Sequence, residues 1–302
     1  MKGIILAGGS GSRLLPMTLT ASKHILPVYD KPLVYYPLAL LMLGGIRDIL
    51  VISSPRDLGH FKALFGSGAQ WGLRFSYAEQ PRPEGIAQAL IIAEEFIGSD
   101  HCVLVLGDNI FYGHSLPELL SNAFQKTKGA TVFVAPVADP QRYGVLEMDD
   151  DGKPISIEEK PTVPRSHWAV TGLYVYDSRA VAIAKSLRPS ARGELEITAV
   201  NAAYIETSEL NAVKLGRGFA WLDAGTPDSM LDAANFVATL EKRQGFKIAV
   251  PEEIALRLGY IDAAELARVI EERYRNCDYG QYLSGVLAQA SGGAPKMAKR
   301  TR

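Results

Sequence analysis

The most constraining feature is at the start of the chain. The apolar stretch Lys2-Gly3-Ile4-Ile5-Leu6-Ala7 reads as a strand and runs directly into Gly8-Gly9-Ser10-Gly11-Ser12-Arg13-Leu14. Three glycines in four positions allow turns without a Cβ penalty and let a ligand approach the backbone. Successive N–H groups there, followed by a helix start, form a nest for phosphate oxygens. Arg13 and Lys23 place positive charge beside it. The loop is not a Walker A motif, because no Gly-Lys-Ser/Thr follows. It is not a dinucleotide fingerprint either, because Leu14 stands where the third glycine would be. A nucleoside triphosphate site is the working reading; an ordinary strand-to-loop connection with solvated Arg and Lys is the plain alternative.

The rest of the chain alternates in a way that suits such a loop. Pro32 and Pro37 fit a helix start, residues 38–43 its body and Gly44-Gly45 its stop. Strands are expected over 46–53, 73–77 and 102–106, the last of them central, with helices over 60–65 and 86–96. That alternation implies right-handed crossovers and a mainly parallel sheet. After about residue 130 the character changes. Strands over 131–137, 143–148 and 155–161 surround a hairpin signal at Asp149-Asp150-Asp151-Gly152. A strand over 170–176 follows, then helices over 178–186 and from Arg192 to 206, a strand over 210–215 and a helix over 227–243. An amphipathic helical tail begins at Pro251, and residues after about 291 read as a frayed terminus. The expected fold class is α/β: a Rossmann-like three-layer sandwich with a mainly parallel mixed central sheet, an inserted β-hairpin region and a C-terminal helical extension.

Composition bounds the function. Of 302 residues 47% are hydrophobic and the formal net charge is −1, which fits a soluble globular protein and argues against nucleic-acid binding as the main task. Cys102 and Cys277 suggest no disulfide framework. His24, His60, His101, His114 and His167 show no zinc spacing. The N-terminus lacks the segments of a signal peptide, and the apolar run 38–43 is too short for a bilayer. A cytoplasmic protein without membrane contact is expected.

Two aspartates carry the chemistry. Asp108 follows Gly107 at the end of an apolar strand, where open α/β sheets place ligands; Asp223 ends another apolar segment and precedes Gly225. Brought together, they can hold Mg²⁺ while leaving corners for water and phosphate oxygens. Two unrelated turn aspartates are the alternative; an acid/base pair for glycoside chemistry leaves the basic N-terminus unexplained. The acids at 149–151 read as a solvated turn. Lys160 could hold a phosphate or discourage edge pairing. Arg192 and Glu194 could be capping charges. The Gln80 amide matches the imide edge of thymine or uracil, although a turn glutamine often has no such role. Tyr143, Trp168, Tyr174 and Tyr176 read as core and pocket wall.

The glycine loop with Ser22-Lys23 and Leu26-Pro27 resembles the signature of sugar-1-phosphate nucleotidylyltransferases. The resemblance continues through Leu106-Gly107-Asp108-Asn109-Ile110-Phe111-Tyr112-Gly113, Arg142-Tyr143-Gly144-Val145, Glu158-Glu159-Lys160-Pro161, Ala169-Val170-Thr171-Gly172-Leu173-Tyr174, Ser190 to Thr198 and Ala220-Trp221-Leu222-Asp223-Ala224-Gly225-Thr226. It covers residues 2 to about 290 and is nearest to the branch that makes dTDP-glucose.

The resemblance implies transfer of a thymidylyl group from dTTP to glucose 1-phosphate, with Mg²⁺ as cofactor. It implies a nucleotide site of Leu6, Gly8, Gly9, Gly11, Ser12, Arg13, Gln80, Pro83, Gly85 and Asp108. The sugar phosphate would meet Asn109, Tyr143, Gly144, Glu159, Lys160, Val170, Tyr174 and Arg192. Arg13, Lys23, Asp108, Lys160 and Asp223 would be catalytic, with Asp108 and Asp223 holding the metal. Residues 1–245 would form the catalytic domain, with a nucleotide-binding half (1–130) and a sugar-phosphate half (131–245). Residues 246–290 would be a helical extension and 291–302 a disordered tail. A homotetramer is implied.

Six positions depart from the family pattern. Ser12 and Ala224 each replace a usual Thr, His24-Ile25 replace Gln-Leu, and His167-Trp168 replace Asn-Tyr. A UTP-using or dual-specificity uridylyltransferase is the nearest rival. A non-catalytic nucleotide-sugar sensor and a Rossmann oxidoreductase are the others.

Overall fold

A computed structural model describes residues 1–126, 128–290 and 292. The tail read as frayed therefore lies outside the described residues, Gly292 apart.

The first half builds the parallel part of the sheet. β1 (Lys2–Ala7) is followed by a two-residue hairpin, β2 (Pro27–Val28) and β3 (Lys31–Pro32), then α1 (Tyr35–Leu43), β4 (Asp48–Ser53), α2 (Leu58–Phe65) and β5 (Arg74–Glu79). Next come α3 (Gln88–Ile92), α4 (Glu94–Ile97) and β6 (Cys102–Leu106). β1 pairs in parallel with both β4 and β6, and β4 with β5. The long apolar runs of β4 and β6 form strands because both of their faces are covered. α1 is buried almost all round, so its sequence shows no polar face. The helix expected over 86–96 is broken at Ala93, whose backbone leaves the helical conformation between α3 and α4.

The second half adds antiparallel strands. β7 (Asn109–Gly113), α5 (Leu116–Phe124), β8 (Ala130–Pro136), β9 (Gly144–Met148), β10 (Pro154–Glu159) and β11 (Trp168–Tyr176) are followed by α6 (Ala180–Ser186) and α7 (Ile197–Glu206). β12 (Leu210–Lys214), β13 (Phe219–Asp223) and α8 (Pro227–Gln244) complete the site-bearing part. The strand order is β10-β9-β11-β6-β1-β4-β5, with β8 pairing β11 and β12 pairing β8. β6 is central, as its apolar run predicts. The acids of the β9–β10 connection form a turn: Asp149 Oδ1 accepts from Lys153 N at 2.7 Å.

One feature of β11 opens the site. It pairs with β9 at Ala169 and with β6 only from Leu173 onward. Between these ladders Gly172 N donates to Asn109 Oδ1 at 3.0 Å instead of to a strand. Separate cores flank the sheet. One packs α1, α2 and α5 with the C-terminal helices α9 (Pro251–Arg257), α10 (Ala263–Val269) and α11 (Asp278–Ala290). The other packs α3, α4, α6 and α7. Within the extension, the buried Glu252 accepts from Tyr274 Oη at 2.9 Å and Tyr279 Oη at 2.7 Å. Among the described residues no helix is long and apolar enough to cross a membrane.

Candidate active site

Two adjoining clefts lie at the C-terminal ends of β1 and β6. The first, of about 290 Å³, is bounded by Leu6, Gly8, Gly9, Lys23, Gln80, Pro83 and Gly85. A Cβ on Gly8 would stand 2.0 Å from Gln80 Oε1, so only glycine lets this amide lie against the loop. Gly11 has φ +61°, and its carbonyl accepts from Thr18 Oγ1 at 2.8 Å. The helix expected after the loop is absent. A single 3₁₀ turn, Ser12–Leu14, stands there, and Leu15 is already extended. Pro16 supplies the reason: the residue before a proline is driven out of the helical region. Any anion at this loop is therefore met by loop amides and basic side chains, with no helix terminus behind them.

The second cleft, of about 190 Å³, contains Asp108, Asn109, Tyr143, Gly144, Glu159, Lys160, Val170, Tyr174 and Asp223. Arg13 and Asp108 border both clefts. The two aspartates, far apart in sequence, meet through a small ladder: β7 runs antiparallel to β13 and pairs Asn109 with Asp223. Ala224 N donates to the Asp108 carbonyl at 3.1 Å. The Asp108 carboxylate is ion-paired to Lys23 and accepts from Asn109 Nδ2 at 2.9 Å. Burial pushes this carboxyl up, but Lys23 and the hydrogen bonds outweigh it and hold it well below the usual range. Asp223 goes the other way. Burial and the charge of Asp108 raise it, against Lys23, Arg13 and Arg142. The carboxylates thus repel each other across one cleft, with cations on its rim.

Glu159, half-buried beneath the second cleft, is raised by burial and by Glu196, against Lys160 and Arg192. Lys160 sits in the left-handed backbone region at φ 44°, its ammonium 3.9 Å from Glu159 Oε1. Arg192 is not at a helix start, because α7 begins only at Ile197. It lies in the preceding turn, where Glu194, Glu196 and Glu159 hold its guanidinium. Arg192, Gly11 and Ser12 border neither cleft; Arg192 reaches the second one only through Glu159.

Several cleft residues escaped sequence reasoning: Ile86, Leu106, Arg142, Gly172, Thr198 and Trp221. Trp221 had a signal, since it lies two positions before Asp223 on a strand and so shares its face. Arg142, whose guanidinium lies 5.6 Å from the Tyr143 ring centre, had only its position beside that ring. Of the departures, His24 borders the first cleft and is fully buried. Its Nδ1 is 2.9 Å from Ser22 Oγ, and burial together with Lys23 pushes it down to about 3. Trp168 instead packs under the Lys214 ammonium, away from both clefts.

A mixed sheet with a glycine loop at one strand end and a carboxylate pair at the next defines a class, and sequence comparison identifies it. The nucleotidyl transferase family matches residues 2–239. A glucose-1-phosphate thymidylyltransferase of Neisseria meningitidis is 56% identical over 287 residues, covering 95% of this chain and 99% of that protein. One from Xanthomonas campestris is 54% identical over 290 residues, covering 96% and 98%. The chain belongs to the glucose-1-phosphate thymidylyltransferase family of nucleotidyl transferases, and it is an enzyme. Among solved structures, a Bacillus anthracis protein assigned as a glucose-1-phosphate thymidylyltransferase, in complex with a sucrose, aligns with TM-score 0.72 and 44% identity over 78% of this chain and 94% of that one. A UDP-glucose pyrophosphorylase complexed with UDP-glucose aligns with TM-score 0.71 and 25% identity, covering 80% and 99%.

Proposed function

We propose that the enzyme transfers a thymidylyl group from dTTP to α-D-glucose 1-phosphate, giving dTDP-glucose and pyrophosphate. The observation that carries this reading is the junction of the two clefts at Arg13 and Asp108. A triphosphate along the glycine loop and a sugar phosphate near Lys160 would meet there. In this reading the 1–130 half takes the nucleotide and the 131–245 half the sugar phosphate.

The step is a direct in-line displacement. An oxygen of the sugar phosphate forms a bond to the α-phosphorus as the bond from that phosphorus to the bridging β-oxygen breaks, and pyrophosphate leaves with that electron pair. A phosphate monoester has a second pKa of about 6, so the nucleophile is largely dianionic at neutral pH and needs no dedicated base. The barrier lies in bringing a dianion to a polyanion. Arg13 and Lys23 on the nucleotide side and Lys160 on the sugar side compensate charge and fix alignment. Gln80 and Gly85 read the base edge, and Asn109, Tyr143, Gly144, Glu159, Val170 and Tyr174 shape the sugar side, with Arg192 steadying Glu159.

Asp108 and Asp223 would hold Mg²⁺. Among the described residues no group of three or more His, Cys, Asp or Glu converges, so the donor set is this pair. It suits Mg²⁺, which commonly binds one or two carboxylates and completes its shell with water and phosphate oxygens. The repulsion that raises Asp223 is what a cation would relieve. When bound, the ion offsets phosphate charge. Assembly as a homotetramer and a cytoplasmic location belong to the same reading, the first tested by sedimentation.

The similarity to a UDP-glucose pyrophosphorylase favours UTP as the second candidate donor. The test is a matrix of dTTP, UTP, CTP, ATP and GTP against glucose, galactose and amino-sugar 1-phosphates, scored by pyrophosphate release. Highest turnover with dTTP and glucose 1-phosphate is expected; preference for another pair would overturn the assignment.

A further inference from the structure

Behind the first cleft lies a short relay of side chains. Gln80 follows β5, and its backbone N–H is fixed to the Ser53 carbonyl at 2.8 Å. Its Nε2 donates to Gln88 Oε1 at 2.7 Å. The same Gln88 Oε1 accepts from the Glu84 backbone N–H at 3.2 Å, while Gln88 Nε2 donates to Glu84 Oε2 at 2.8 Å. Gln88 itself does not border the cleft.

These bonds have a polarity that fixes each amide. A backbone N–H can only donate and an ionised carboxylate can only accept. Bracketed by one of each, the Gln88 amide has a single orientation, with oxygen toward Gln80. That oxygen admits only an N–H from Gln80. Turning the Gln80 amide over would set two carbonyl oxygens against each other at hydrogen-bond distance. Gln80 Oε1 is therefore turned to the loop at Gly8, where an added Cβ would lie 2.0 Å from it.

We infer that Gln88, anchored by Glu84, is a specificity-positioning residue that holds Gln80 with its carbonyl facing the nucleotide cleft. The cleft then selects pyrimidines with a protonated N3, as in thymine or uracil. Cytosine, whose N3 carries no proton, sets an acceptor against this carbonyl. The inference rests on the nucleotide reading of this cleft and adds the residue that sets its hydrogen-bond polarity.

The test compares kcat/KM for dTTP and dCTP in the full-length enzyme and in Gln88→Leu, Gln88→Glu and Gln80→Leu. Loss of the relay in Gln88→Leu should raise KM for dTTP and lower the dTTP/dCTP preference about tenfold or more, with kcat for dTTP nearly unchanged; sites built to hydrogen-bond a substrate lose selectivity on this scale. Gln88→Glu keeps an acceptor for Gln80 and for the Glu84 N–H but sets a carboxylate against Glu84 in place of the Nε2–Oε2 bond; combined with Glu84→Gln, which returns a donor to that contact, it should restore the preference. An unchanged preference in Gln88→Leu, when Gln80→Leu abolishes it, overturns the role of Gln88 alone. A fall in kcat at constant preference also overturns it. An unchanged preference in Gln80→Leu overturns the base-reading role of Gln80 and this inference with it.

Discussion

The Trp221 indole N–H donates to Asn109 Oδ1 at 2.6 Å, and the same oxygen accepts from Gly172 N at 3.0 Å. Asn109 Nδ2 meanwhile donates to Asp108 at 2.9 Å. One amide thus joins the strand that ends in Asp223, the gap in β11 and the first of the two carboxylates. Trp221→Phe keeps an aromatic face beside Tyr143, whose ring centre lies 5.0 Å away, but removes the donor. A lost hydrogen bond of about 1 kcal/mol corresponds to roughly fivefold. The Mg²⁺ concentration for half-maximal activity should rise by about that factor, as read by titrating pyrophosphate release against Mg²⁺.

Arg13 and Asp108 border both clefts, so their effects should fall on the step that links them. Arg13→Ala and Asp108→Ala are each expected to lower kcat by about 100-fold or more, the scale for losing one preorganised charge at a developing transition state. KM for glucose 1-phosphate should move much less. Steady-state kinetics with each substrate varied in turn checks this.

Lys160 lines the second cleft beside Glu159, and its loss should be felt as binding. Lys160→Gln should raise KM for glucose 1-phosphate by about tenfold or more, since hydrogen bonds to charged groups contribute about 1.5–3 kcal/mol. KM for dTTP should stay within a small factor.

His24 makes stability depend on pH. Burial and Lys23 lower its pKa from 6.5 to about 3 in the folded protein. Between those values the unfolded chain binds the extra proton, so stability rises with pH across that window. The contribution is complete above about pH 6.5 and declines as pH falls toward 3. At pH 5, 1.5 units below the ordinary histidine value of 6.5, the loss amounts to about 2 kcal/mol. His24→Gln lacks this loss, so urea denaturation at pH 7.5 and 5 should show a smaller decline for the variant than for the parent.

Much of this was legible in the sequence because it is local. The buried strands announced themselves as apolar runs, α1 was bracketed by prolines and a Gly-Gly stop, and Asp108 stood at the end of a strand. What was illegible depended on distant partners. Asn109–Gly113 is a strand only because Phe219–Asp223 pairs with it, and nothing near either segment says so. The helix expected after the glycine loop failed on Pro16, and the one expected at Arg192 starts late because three carboxylates hold that arginine in a turn. The Gln80–Gln88–Glu84 relay needed atomic positions, since amide orientation leaves no trace in residue type.

The most direct measurement concerns the α-phosphorus. With dTTP carrying a chiral α-phosphorothioate of defined configuration and glucose 1-phosphate as acceptor, direct displacement across the junction of the two clefts predicts inversion in the dTDP-glucose analogue. Retention would require a nucleotidyl-enzyme intermediate, and would contradict an account in which the two substrates meet face to face at Arg13 and Asp108.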